Sequence, residues 1–131
     1  MSLSLPATAF FSIFLHGTTR RKEYIELEGN PNLLLNIKQK ALDTWAQKCG
    51  EPVLSAYKAY NEEKNMLEAR EAARMDEIVA QLSEPAKKAD KRVRDIMSDK
   101  NQTKKEMDTK VDAQLNKLPK KVYYELTFAT Q

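Results

Sequence analysis

The chain has 131 residues, of which 31% are charged and 41% hydrophobic, and it carries a net charge of +3 at pH 7. That length suits one domain, and the composition is that of neither a membrane-embedded nor an extended disordered chain. A single Cys and a single His exclude an internal disulfide and a zinc cage built from Cys and His.

The first apolar cluster, Ala9 to Leu15, is too short to span a bilayer, which takes ~20 apolar residues. No Lys or Arg precedes it, and Arg20, Arg21 and Lys22 follow it, the wrong order for a secretory signal. The expected location is cytoplasmic, or inside an intracellularly assembled particle, with no membrane partner. Phe10 to Leu15 reads as a strand with Phe11, Ile13 and Leu15 on one face, and His16-Gly17-Thr18-Thr19 reads as a turn. Glu23 to Glu28 alternates again, with Ile25 and Leu27 on one side and Tyr24, Glu26 and Glu28 on the other, the period of a half-buried strand.

Prolines and glycines mark the next boundaries. Asn30-Pro31 looks like a helix start, Gly50 like a helix stop, and Pro52 like the opening of another helix. The intervening segment, 32–49, has an apolar stripe of Leu34, Ile37, Ala41, Leu42, Trp45 and Cys49. Both Trp45 and Cys49 are expected as core residues on that face. Two longer helices are expected over 52–82 and 85–117, separated by Ser83-Glu84-Pro85. At 1.5 Å per residue each would run about 45–50 Å. From Glu51 to Leu82 there are seven acids and four bases, and from Ser83 to Lys121 twelve bases and seven acids. Opposite net charges and near-equal lengths suggest a coiled-coil-like antiparallel hairpin. No apolar residue lies between Ser98 and Glu106, which reads as a polar waist in that arm. After Pro119, Val122, Tyr124, Leu126 and Phe128 alternate with Tyr123, Glu125 and Thr127, the clearest strand signal in the chain.

The expected fold class is therefore α+β, mainly α. It is a long antiparallel helical hairpin plus one shorter amphipathic helix, packed on a small antiparallel sheet formed by the N-terminal hairpin and the C-terminal strand. As one domain, 1–131, it would have a sheet-plus-helix head from 1–50 and 119–131 and a helical arm from 51–118.

The chemistry of catalysis is missing from the pattern. Three isolated glycines do not build a phosphate loop, His16 has no sequence cue linking it to a nucleophile, and carboxylates on charged helices are ordinarily solvated. The expectation is a non-enzymatic protein with no cofactor. Two surfaces stand out. Phe10, Phe11 and Phe14 put aromatics on both faces of one strand, while Met107, Val111 and Leu115 form an apolar stripe. Both are candidate interfaces with a protein partner or a second copy. The leading expectation is an interaction or assembly protein, in the manner of a small accessory subunit of a viral or phage particle or an inhibitor of a host complex. The alternative is nucleic-acid binding through Lys87, Lys88, Lys91, Arg92 and Arg94, which crowd one helix. Interleaved Asp90 and Asp95, and the absence of aromatics for base stacking, favour a solvated and partly neutralised face instead.

Overall fold

The computed structural model describes residues 19–131, and six helices follow one another along them: α1 (Thr19–Gly29), α2 (Leu35–Cys49), α3 (Val53–Val79), α4 (Glu84–Ser98), α5 (Lys104–Asn116) and α6 (Lys120–Ala129). No strand occurs among the described residues. A single antiparallel bridge between Leu34 and Thr103 is their one β-like feature. The described fold is all-α, and the expected antiparallel sheet is overturned.

Two of the three expected strands are helices, and the reason lies in the spacing. A period of two and a period of four coincide at every second step. In α6, Leu126 is buried and Val122, four residues earlier, is half-buried, whereas Tyr124 and Phe128 are 51% and 66% exposed. A strand would have put all four on one face, but a helix sorts them into two opposed pairs. In α1, Tyr24 is buried and Leu27 packs beside it, three residues on, while Ile25 is half exposed. That is helical spacing, again at odds with an Ile25–Leu27 strand face. The expected strand at Phe10 to Leu15 lies outside the described residues.

The expected helix over 85–117 is divided into α4 and α5. What read as a polar waist is a loop. With no apolar side chain between Ser98 and Glu106, nothing there can bury a helical face, and most helical stability comes from such burial. Thr103 caps α5 by accepting the Glu106 N–H at 3.0 Å, and Asp99 Oδ1 accepts the Asn101 N–H at 2.9 Å. The break at Ser83 matches expectation, since Ser83 Oγ accepts the Ala86 N–H and Pro85 sits in the first turn of α4. Helices joined by tight turns, which a helical hairpin requires, are present. The arm expected over 52–82 is the unbroken α3, whereas the arm expected over 85–117 is in two pieces.

Contacts divide the chain into two compact units. Among the described residues the first contains 19–30 and 36–68, and the second 31–35 and 69–131. Helix α3 contributes its first part to one and its last part to the other.

The first unit is built on aromatic rings. Trp45 is 3% exposed, with the Tyr24 ring 5.0 Å from it and the Tyr57 ring 6.1 Å away in an edge-on arrangement. Leu42, Ala46, Val53 and Ala56 complete this cluster, and Leu27, Cys49 and Leu54 pack against it. Trp45 and Cys49 thus join the core on the α2 stripe, as that stripe predicts. Trp45 Nε1 donates to the Arg20 carbonyl at 2.9 Å, so burial leaves its one polar group satisfied. Gly50, at φ 68°, turns the chain out of α2 while its N–H donates to the Ala46 carbonyl, a conformation that costs a residue without Cβ little.

In the second unit α4 packs on α5 and α6. Ala86 and Ala89 are buried on α4, with Val79 and Leu126 also buried in this unit. Gln102, at 1% exposure, is the one buried polar residue among those described.

Candidate functional site

The cations of α4 fall into two groups. Lys87 pairs with Glu84 at 3.3 Å, Lys91 with Asp95 at 2.9 Å, and Arg94 with Asp90 at 2.8 Å and with Asp76. Lys88 and Arg92 have no carboxylate partner among the described residues. Arg92 Nε instead donates to the Lys88 carbonyl. The two sit four residues apart and so share one helix face.

That face borders a cleft of about 510 Å³ within the second unit. Lys88 and Arg92 line it from α4, Gln114 from α5, and Lys117 from the end of α5. Pro85, Leu118, Pro119 and Val122 give it an apolar wall, and Glu84 lies at its margin, already paired with Lys87. Three cations and one acid leave the lining positively charged.

The loop between α4 and α5 is a second concentration of polar groups. Gln102 Nε2 donates to the carbonyls of Ile96 and Asp99 at 2.7 and 2.9 Å, and its Oε1 accepts from the Lys110 ammonium at 3.0 Å. Its backbone carbonyl accepts the Leu35 N–H at 2.8 Å. A buried amide with every group matched fixes the loop. Among the described residues no group of three or more His, Cys, Asp or Glu side chains is gathered closely enough to hold a metal ion.

A third surface is the outer side of α6. The Tyr124 and Phe128 rings stack with centroids 5.8 Å apart, and Tyr123 meets Tyr124 edge-on at 5.6 Å.

Of the candidate interface residues, Phe10, Phe11 and Phe14 lie outside the described residues. Met107, Val111 and Leu115 share a face of α5 and are each half-buried. Of the five candidate nucleic-acid contacts, Lys87, Lys91 and Arg94 are engaged by carboxylates, and only Lys88 and Arg92 meet at the cleft.

With these elements in place, the chain matches a protein family over nearly its whole length. The family model described as SXP/RAL-2 family protein Ani s 5-like, metal-binding domain, matches residues 8–131. The chain belongs to this family. No curated protein and no solved structure matches it. The family description carries no detail on particle assembly, inhibition of a host complex or nucleic acid. No described helix of this SXP/RAL-2 chain is long and apolar enough to cross a membrane.

Sequence reasoning missed the cleft and the α4–α5 loop. The loop had a signal: Thr103-Lys104-Lys105-Glu106 has the Thr-x-x-Glu spacing of a helix N-terminus. The cleft had none, because it depends on α4, α5 and α6 meeting.

Proposed function

We propose that the chain is a non-enzymatic interaction protein that associates with a second copy of itself through the outer face of α6. The observation that carries this reading is the exposed ring pair Tyr124 and Phe128, at 51% and 66% exposure. Aromatic side chains bury roughly 150–250 Å² each when covered, and ring pairs add to that gain. Beside the pair, Tyr123, Thr127 and Gln131 are uncharged, while the exposed Lys120 and Lys121 lie one turn before Tyr124. Stacked rings on one helix face are complementary to their own copy across a two-fold axis, with the lysines left at the rim.

The family description names metal binding, and the described residues of this chain do not fit a divalent cation. The loop between α4 and α5 has five residues, 99–103, against the roughly twelve of a helix–loop–helix calcium site. Three of its side-chain oxygens are engaged: Asp99 Oδ1 by the Asn101 N–H, Thr103 Oγ1 by the Glu106 N–H, and Gln102 Oε1 by Lys110. Lys100, Lys104 and Lys105 add positive charge in and beside it. What weighs against a nucleic-acid reading is the pairing on α4, which neutralises three of the five cations that a phosphate track would use.

Light scattering on a sizing column tests the proposal. The expected mass is a multiple of 15.0 kDa, falling to the single-chain value in a Tyr124→Asp/Phe128→Asp double variant that retains its helical circular dichroism. A wild-type protein that stays at the single-chain mass as its concentration is raised overturns self-association through this face.

A further inference from the structure

We propose that the cleft bounded by α4, α5 and α6 binds a single-chain anionic amphiphile, its charged head among Lys88, Arg92 and Lys117 and its apolar chain along Pro85, Leu118 and Val122. This goes beyond self-association and does not depend on it.

The argument begins with the sorting of charges. On α4 the cations that face away from the cleft are matched by carboxylates one turn away or on α3, as Lys87, Lys91 and Arg94 are. Those that line the cleft, Lys88 and Arg92, are not. Lys117, contributed by the end of α5, likewise has no carboxylate partner among the described residues. Three like charges gathered around one depression repel each other, and that repulsion is relieved when an anion enters.

The cleft also has a second kind of surface. Leu118 and Val122 are half-buried and, with Pro85 and Pro119, give the lining an apolar part, its wall. An inorganic anion would satisfy the cations and leave that wall wet. A neutral lipid would cover the wall and leave the cations unmatched. A molecule with an anionic end and an apolar body uses both, which is how small-molecule sites combine an apolar lining with a few placed polar groups. The volume, about 510 Å³, lies within the roughly 300–1,000 Å³ of such sites. Arg92 offers a planar fork to a carboxylate or phosphate, and Lys88 and Lys117 act as point charges beside it. The Gln114 side chain adds an uncharged amide to the same lining.

The experiment is isothermal titration of the full chain with dodecanoate and with dodecyl phosphate, both below their micelle concentrations. Inorganic phosphate and dodecyl maltoside are run as separate arms. The expected result is 1:1 binding of at least one anionic amphiphile, the tighter of the two identifying the head group as carboxylate or phosphate. Neutralising the cleft with Lys88→Gln/Arg92→Gln/Lys117→Gln should weaken that binding at least tenfold. Lys120→Gln/Lys121→Gln, which removes two charges outside the lining, should leave it unchanged. Circular dichroism confirms that both variants fold. Absence of binding by either amphiphile overturns the proposal, as does equal affinity in the cleft variant. Maltoside binding as tight as the anions would reduce the site to an apolar patch, and inorganic phosphate binding as tight would remove the role of the wall; either result overturns it.

Discussion

Each of the two units of this chain is ordered internally by different means. In the first, three aromatic rings from α1, α2 and α3 meet around Trp45, and aliphatic side chains fill in around them. In the second, the buried apolar residues are few and mostly small, and order comes from caps and a fully matched amide: Ser83 and Thr103 at helix starts, Gln102 at the α4–α5 loop. Aromatic burial gives stability in proportion to area and tolerates imperfect geometry. Polar order gives less net energy but penalises every lost partner. The unit with the thinner core is also the one that carries the charged cleft and the exposed rings of α6. Surfaces with functional potential sit where fewer apolar side chains are committed to the core.

The largest test of this contrast is Trp45→Ala. Removing a ring at 3% exposure that touches both Tyr24 and Tyr57 should cost about 3–5 kcal/mol. Urea denaturation followed by far-UV circular dichroism, since the only Trp is gone, reads the loss. A cost below about 1 kcal/mol, within the range of ordinary surface substitutions, would mean that the rings do not form the core described here.

A smaller effect is expected in the second unit from Gln102→Leu. The volume is kept, but the carbonyls of Ile96 and Asp99 lose their donor, a cost of about 1–3 kcal/mol. Lys110→Met leaves the buried Gln102 Oε1 without this donor but spares both carbonyls, and should cost less, about 1 kcal/mol. If the two variants are equally destabilised, the matched amide is not what orders the loop.

The contrast also explains which parts of the fold were legible in the sequence. Helix α2 was, because its stripe and Gly50 agree on both the face and the end. The start of helix α4 was, because Ser83 and Pro85 are strong start signals, but its end was not. The terminal helices were not, because Val122, Tyr124, Leu126 and Phe128 fit a strand as well as a helix until one knows that only Val122 and Leu126 turn inward. That choice is made by tertiary packing, which overrides a short alternating pattern. The α4–α5 break was half legible: the polar gap was plain, but it read as a feature of a helix, although Thr103 and Glu106 already carried the cap. The basic cluster was visible residue by residue. Its division into paired cations and cleft cations was not, because Arg94 finds Asp76 eighteen positions away and Lys117 meets Lys88 and Arg92 only through helix packing.

The smallest effect expected is also the one that separates the units most directly, because pH acts on them from opposite sides. Burial raises the Tyr57 hydroxyl to about 12, with nearby Asp43 adding to the rise, and burial raises Tyr24 as well. An unfolded Tyr loses its proton near pH 10, so the folded state holds these protons more tightly. Their contribution is fully present below about pH 10 and is lost as pH climbs from there through the folded value. Glu125 shifts the other way. The Ser83 side chain and backbone N–H bond its carboxylate, the latter at 2.7 Å, and Lys121 adds attraction, holding it below the usual carboxylate range. Its contribution is present above the unfolded carboxylate pKa of about 4.3 and disappears as pH falls through the folded value. Glu71 beside Arg74 moves in the same direction. Amide hydrogen exchange at pH 4 and pH 10.5 should therefore show acid loosening at the Ser83 end of α4 and alkaline loosening around Trp45. Glu125→Gln should flatten the acid change alone, and Tyr57→Phe the alkaline change alone. If Glu125→Gln instead altered the alkaline limb, the two units would not be titrating through separate groups, and the contrast drawn from their cores would fail.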